Sequence, residues 1–405
     1  MLRKNQTEKL AKDDIEQALE YIGTCWPKLI RQKTPKNTTL IPLPNPYVVP
    51  SSGDGSFRFD EQYYWDTYFT ALGIDDEKLV CGMLDNLIFM FEKFGMIPNG
   101  NRYYLTSRSQ PPVLTSLIFH IYEKYEKPKS WLKKNIVVAK NEYSQVWTSK
   151  VHPQMHKVHE TLSRYYDINS MHDLAELESG WDMTPRFKRQ CLDYLPIDLN
   201  CLLYRYEKDF EKAANILGDV SEARIWNYAA KQRQTAVSKL MWHKRKAFFF
   251  DYNYAEDGLS NVWSLAGYYA LWAGLATDKQ AEKLVKNLHR FEKKGGLSAT
   301  TETLMYPELF GSSKTQWAYP NCWAPLQYIV IEGLEKYGYK KEAERIARTW
   351  LKTCNDWYVA HGVFLEKYNA ANPSLKPADG LYATQTGYGW TNSVFVYLAE
   401  KYITD

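Results

Sequence analysis

Apolar residues at steps of three and four run through this chain, and that spacing limits what it can fold into more than any other feature. Ala343, Ile346, Ala347, Trp350, Leu351, Cys354 and Trp357 fall on one face of a helix of about four turns. Trp226, Ala230, Val237, Leu240 and Met241 do the same in a helix running from about Ser221 to Trp242. Similar patterns predict helices at 7–23, 77–94, 112–124, 152–166, 196–216, 260–275, 278–292, 323–337 and 391–402. Gly338 and Gly362 each follow a helical stretch, where glycine commonly ends one. Alternating strand patterns are few, so the class is all-α. No low-complexity linker divides the chain. We expect one catalytic domain over 1–405, with 1–45 as an N-terminal helical extension packed on it.

A weak internal echo suggests how the helices are organised. Two long amphipathic helices lead into Lys246-AFFFDYN and Gly362-VFLEKYN. Each is a turn, a short apolar stretch and an acid close to Tyr-Asn. Chance similarity would explain this, and so would a helix hairpin used repeatedly, the unit of a closed toroid. Long loops at 36–68, 95–112, 167–187, 295–323 and 366–390 are rich in Gly, Pro, Asn and aromatic residues. Loops of such length are usually functional or disordered, and these are too aromatic for disorder. They are expected to fold over one end of the scaffold and form a site. The chain holds 31 Tyr, 14 Trp and 16 Phe. Such rings either pack a core or cover the apolar faces of sugars.

Several function classes are excluded. The 51 basic and 47 acidic residues are interspersed, for a net charge of +4, so no nucleic-acid partner is expected. Six scattered cysteines show neither a CxxC pair nor zinc spacing, which argues against a disulfide framework or a metal site. The N-terminus is polar and lacks a signal-peptide core. The weakly polar run from Val262 to Thr277 is too short to span a membrane. A cytoplasmic chain fits, although a processed mature chain would look similar.

The residues able to carry chemistry lie in the aromatic loops. Glycosidic cleavage needs a proton donor for the leaving oxygen and a second carboxylate that activates water or attacks the sugar. In Glu178-Ser-Gly-Trp-Asp182, a turn would bring Asp182 beside an indole, in poor solvent, as a general acid; spacing alone favours a helix-capping Asp in an ordinary turn. In Phe364-Leu-Glu366-Lys-Tyr368-Asn369, Glu366 is a base in a cleft or half of a surface Glu–Lys pair. Arg58-Phe-Asp-Glu-Gln-Tyr-Tyr-Trp65-Asp66 offers charge and stacking to sugar hydroxyls, or a structural ion pair. Ile97-Pro-Asn99-Gly-Asn-Arg102 and Arg108-Ser-Gln110-Pro-Pro supply two arginines that suit a sugar or a phosphate. Gln316-Trp317-Ala-Tyr319-Pro-Asn-Cys-Trp323-Ala-Pro325 is an aromatic loop entering a helix.

In this order the segments resemble the trehalase family of glycoside hydrolases, from Leu40-IPLPNPYVVP to Gly387-Tyr-Gly-Trp-Thr-Asn392. RF-x-E-x-YYWD-x-Y at Arg58–Tyr68 and QW-x-YPN-x-WAP at Gln316–Pro325 match its two signatures. IPNGNR, SRSQPP, ESGWD, EKYN and GYGWTN are similar to further family segments. The resemblance implies an (α/α)6 toroid, inversion of configuration, no cofactor and no metal. It places Asp182 as general acid and Glu366 as general base. It places Arg58, Phe59, Trp65, Asp66, Asn99, Arg102, Arg108, Gln110, Gly180, Trp181, Trp317, Tyr382 and Trp390 around the sugar. The partner implied is a small sugar, with the chain a monomer or weak homo-oligomer.

Four departures accompany the match. SSGDGSF follows Pro50 where the family has Pro-Gly-Gly; Ala318 replaces an Asp; Leu381 replaces a Glu; and 167–177 lacks the Arg-Pro-Glu-Ser stretch. A site rejects wrong substrates strongly only when its polar partners are present. Ala318 and Leu381 thus favour another α-glycoside, while the intact IPNGNR and SRSQPP favour trehalose, the first expected substrate. A glucosyl- or mannosyl-glycerate is the second. A catalytically silent sugar binder comes third, and a phosphorylase is weaker still.

Overall fold

The computed structural model describes residues 12–33, 38–53, 58–302, 315–377, 379–380 and 382–403. The helices are α1 (Lys12–Leu29), α2 (Tyr64–Ala71), α3 (Glu77–Phe94), α4 (Leu114–Lys124), α5 (Lys129–Glu142), α6 (His172–Glu178) and α7 (Ile197–Leu217). They continue with α8 (Val220–Leu240), α9 (Tyr269–Trp272), α10 (Asp278–Asn287), α11 (Ala324–Lys336), α12 (Lys340–His361) and α13 (Gly389–Tyr402). Short strands, none longer than a tripeptide, pair in the loops between them.

Helix contacts close a ring. α2 packs on α4, α4 on α7, α7 on α9, α9 on α11, α11 on α13, and α13 returns to α2. Around this ring α3 covers α2 and α4, α5 covers α4 and α7, α8 lies along α7, and α12 covers α11 and α13. α10 packs on the strand Phe248–Phe249. The N-terminal segment contributes α1, which packs on α12 and α13, and a strand pairing Ile30–Arg31 with Tyr47–Val48. The chain is an (α/α)6 toroid. No helix among the described residues is long and apolar enough to cross a membrane.

Local chemistry accounts for many of the helix ends. The Asp76 side chain accepts from the Leu79 amide at the start of α3, and Gly95 closes it in the left-handed region with its N–H on Phe91 O. Gly362 ends α12 the same way, and Gly338 follows α11 at φ +81°. The inner helices begin at one end of the toroid. Trp65 and Asp66 fall in the first turn of α2, Asp198 in the first turn of α7, Trp323 immediately before α11, and Trp390 in the first turn of α13. The loops that precede these starts therefore converge.

Sequence periodicity and structure differ in places. The helix expected at 152–166 is a turn followed by an antiparallel pair, Lys157–His159 with Leu162–Ser163. Glu160, at positive φ, makes the reversal between them. The expected helix at 260–275 shrinks to a 3₁₀ turn, Leu265–Tyr268, running into α9, because Ser264 is held extended against Thr300. α2, α5 and α6 were not expected. Every residue of α2 is buried, so it carries no polar stripe for periodicity to find.

One buried ion cluster joins three separate segments of this end. Arg186 is fully enclosed and donates two hydrogen bonds to Asp198, at 2.7 and 2.8 Å, and two to Asp251, at 2.7 and 3.0 Å. Its guanidinium also lies over the rings of Trp181 and Phe187. Removing one partner of such a cluster leaves buried charge uncompensated. Arg186→Met is expected to lower the unfolding free energy by about 3–5 kcal/mol, read by urea denaturation. A loss under 1 kcal/mol, roughly that of an exposed pair, would contradict the structural role given to this cluster.

Candidate active site

The loop after α6 carries Asp182 and is held from both sides. On one side, Arg186 fixes its continuation as described. On the other, the buried carboxylate of Glu178 accepts from the Ser109 amide at 2.8 Å, the Tyr166 amide at 2.6 Å and the ring of His156 at 3.0 Å. The Ser109 contact ties the Arg108–Gln110 loop to the end of α6. Asn99 strengthens the tie, donating to Ser109 O at 3.0 Å and Leu177 O at 3.4 Å. Gln110 in turn accepts from the Trp65 amide at 3.0 Å. Gly180 takes φ +72°, and a Cβ there would stand 2.8 Å from the Trp65 ring. Only glycine meets both conditions.

These segments enclose a cavity of about 280 Å³. Its wall is formed by Phe59, Tyr63, Trp65, Asp66, Asn99, Leu105, Arg108, Gln110, Leu177, Gly180, Asp182, Trp317, Trp323, Tyr382, Tyr388 and Trp390. Trp317 and Trp323 stack in parallel at 3.9 Å, and Trp65 and Trp390 meet them at an angle. Flat apolar walls with a few fixed polar groups suit a small polar ligand that has apolar faces.

Glu366 is fully buried directly behind Tyr382, whose hydroxyl donates to Glu366 Oε1 at 2.5 Å. The Gln385 amide and the Lys367 ammonium each lie 3.4 Å from Oε2. The backbone is held by Glu366 N to Gln385 O at 2.9 Å and by Trp390 Nε1 to Glu366 O at 3.1 Å. The strand that follows, Lys367–Asn369, pairs with Asn321–Trp323, placing Lys367 opposite Trp323.

Three carboxyl groups share this space, and their mutual repulsion reinforces burial. Burial raises Asp182 to about 7; its own backbone N–H opposes the rise, the charge of Glu366 adds to it, and Lys367 opposes it. Burial raises Asp66 to about 8, with Asp182 and Glu366 adding to the rise. Glu176, on α6, is likewise pushed by burial to about 8. An acid poised near neutrality beside a second carboxylate is what proton donation coupled to water activation requires.

Of the residues expected from sequence, Asp182, Phe59, Trp65, Asp66, Asn99, Arg108, Gln110, Gly180, Trp317, Tyr382 and Trp390 line the cavity, and Glu366 stands behind it. Arg58 does not reach it: its side chain is 58% exposed and pairs with Asp60 at 2.7 Å. Arg102 instead pairs with Glu61 and donates to Thr39. The indole of Trp181 is buried between Trp317 and Arg186. Ala318 is buried away from the wall. Leu381 lies outside the described residues. Sequence reasoning did not place Tyr63, Leu105, Leu177, Trp323 or Tyr388 in the wall, nor Gln316 and Lys367 behind it. Most of these lie inside the motifs already noted; Leu105 and Leu177 carry no such signal. Among the described residues no group of His, Cys, Asp and Glu could hold a metal.

Among known proteins, the chain is similar to several trehalases. The trehalase family model matches residues 3–176 and 167–403. A periplasmic trehalase from Xanthomonas campestris is 31% identical over 98% of this chain and 75% of its own length. A cytosolic neutral trehalase from Beauveria bassiana is 32% identical over 87% of this chain, which spans 58% of that relative. The solved neutral trehalase Nth1 from Saccharomyces cerevisiae superposes with a TM-score of 0.74 at 31% identity, covering 88% of this chain and 73% of its own.

The contact of Gly180 with Trp65 yields a test that needs no substrate. Gly180→Ala must push the indole out of the cavity wall. We expect a loss of about 1–3 kcal/mol in stability and a changed tryptophan emission in the folded state. Wild-type values for both would show that the close approach is not required.

Proposed function

The chain belongs to the trehalase family, and on that premise we propose that it is a glycoside hydrolase splitting the α-glucosidic bond of trehalose with inversion. The observation that carries this reading is Asp182, an acid raised to about 7 in an aromatic cavity, with Glu366 close behind it. In the proposed reaction Asp182 gives its proton to the glycosidic oxygen as the bond to the anomeric carbon lengthens. Glu366 takes a proton from a water attacking the opposite face, so an α-linked sugar leaves as the β-anomer. That water must share Glu366 with the Tyr382 hydroxyl, which already occupies Oε1. Asp66, largely protonated at neutral pH, is able to donate to a sugar hydroxyl, and Gln110 and Asn99 supply further polar contacts at the wall.

A glycosylated glycerate is the second reading, and one feature favours it. Arg108 is a cation in the cavity wall; its Nη1 donates to Ser107 Oγ at 3.2 Å and lies 3.7 Å from Asp167 Oδ2. A glycerate carboxylate would pair with that charge more strongly than a hydroxyl of trehalose would. For the compartment we infer the cytoplasm. All six cysteines are unpaired, which suits reducing conditions, and the fungal relative is a cytosolic protein. The Xanthomonas relative is periplasmic, so fractionation of the native host decides the point.

Asp182→Asn and Glu366→Gln are each expected to reduce turnover by roughly 10²–10⁴-fold, and wild-type turnover in either would remove that residue from its role. Proton NMR of the first product should show β-glucose; α-glucose appearing first would exclude inversion. The pH dependence follows from Asp182. Its reactive form is protonated, so activity should be lost as pH rises through about 7. A panel of trehalose, other α-glucosides and glycosylated glycerates, compared by kcat/KM, separates the two substrate readings.

A further inference from the structure

Glu366 and Asp182 come from distant parts of the chain, and two further side chains lie between them. Gln316 opens the aromatic loop before α11 and is fully enclosed. Its carbonyl oxygen is held by Asn321 Nδ2 at 2.9 Å and Trp323 Nε1 at 3.1 Å. Its side-chain Oε1 accepts from Lys367 Nζ at 3.2 Å. An ammonium only donates, so this contact decides which way the amide faces. Nε2 is therefore turned toward Asp182, where it donates to the backbone carbonyl and lies 3.5 Å from Oδ2. The amide fits because residue 380 is glycine: a Cβ there would stand 2.0 Å from Gln316 Oε1.

Lys367 is buried as completely as Glu366. Its Nζ lies 3.4 Å from Glu366 Oε2 and faces the rings of Trp323 and Tyr382. A fully buried ammonium is costly unless paired, and Glu366 is the carboxylate within reach. We propose that Lys367 and Gln316 are positioning residues that tie the general acid to the general base: the ammonium holds Glu366, orients the Gln316 amide, and through it fixes Asp182. This rests on the roles given above to Asp182 and Glu366.

The bridge has a consequence that packing alone would not have. A positive charge close to Asp182 favours its ionised form. The other groups facing the two carboxylates are Asp66 from α2, Glu176 from α6, and Tyr382 and Tyr388 from the loop before α13; Asp379 also faces Lys367. All of these are acids, so among them Lys367 supplies the opposing charge. Removing it should move the basic limb of the rate profile, set by Asp182, upward. Removing the Gln316 amide leaves the charge in place and should leave that limb where it is.

The experiment is the pH profile of kcat/KM on trehalose for the full chain and its variants. Lys367→Met is expected to shift the basic limb up by about one pH unit, and Lys367→Arg to keep it within a few tenths. Gln316→Leu should keep that limb and lower kcat by up to roughly 10²-fold with little change in KM. If Lys367→Met does not fold, Lys367→Gln removes the charge while still offering Gln316 a donor, and must show the same shift. An unmoved basic limb in the charge-removed variant, or a limb that moves equally in Gln316→Leu, overturns the proposal. Failure of the underlying roles looks different. Asp182→Asn or Glu366→Gln would then retain turnover, whatever the Lys367 variants do.

Discussion

The enclosed guanidinium of Arg186 is the constraint from which the site follows. It gathers Asp198 from the first turn of α7 and Asp251 from the loop after α8, and it sits only a few residues beyond Asp182. By satisfying both carboxylates bidentately, it spends its charge before reaching the cavity. Asp182 is thus positioned by an arginine that does not neutralise it. A free guanidinium at the same distance would hold the Asp182 proton far less tightly, and a donor near neutrality would be lost. Structural charge is consumed pairwise in the wall, while the cavity keeps carboxyls in excess.

The repeated helix hairpin makes the same contrast visible. α8 and α12 are each followed by a short apolar stretch and an acid near Tyr-Asn. After α8 the acid is Asp251, and Arg186 saturates it. After α12 it is Glu366, whose neighbours are a tyrosine hydroxyl, a backbone amide and one lysine. Corresponding places in the toroid thus hold an acid saturated by a distant arginine and the acid proposed as the base, whose cation is the next residue in the chain.

How far the fold was legible depended on how each helix is buried. Outer helices such as α3, α8 and α12 keep a solvent face, so their apolar stripes can be read directly. α2 is buried on all sides and carries Trp65 and Asp66, so it read as part of a loop. The segment at 152–166 has spaced apolar residues but turns back at Glu160, and a count of spacings does not register a reversal. At the site, Asp182 and Glu366 were legible from motif context, because the local sequence of each also suited a surface or capping role. Arg58 and Arg102 show the limit of motif reasoning. Both lie in segments that reach the cavity, yet each turns outward to a neighbouring acid, Asp60 or Glu61. A motif identifies the segment; which side chain faces inward depends on the pairing partners around it.

The same distinction bears on substrate choice. Ala318 stands where the family has Asp, and by sequence that seemed to remove a polar contact from the sugar. In the folded chain Ala318 is buried within the turn after Trp317, and its carbonyl accepts from the Asn321 amide. The polar groups that do line the wall, Asp66, Asn99, Arg108, Gln110 and Asp182, are all in place. A substitution outside the wall changes specificity only by shifting what is in it, and the neighbouring Trp317 remains stacked on Trp323 at 3.9 Å. The lost aspartate is therefore weak ground for moving the chain away from trehalose. The stronger ground for an acidic leaving group is Arg108, a cation in the cavity wall.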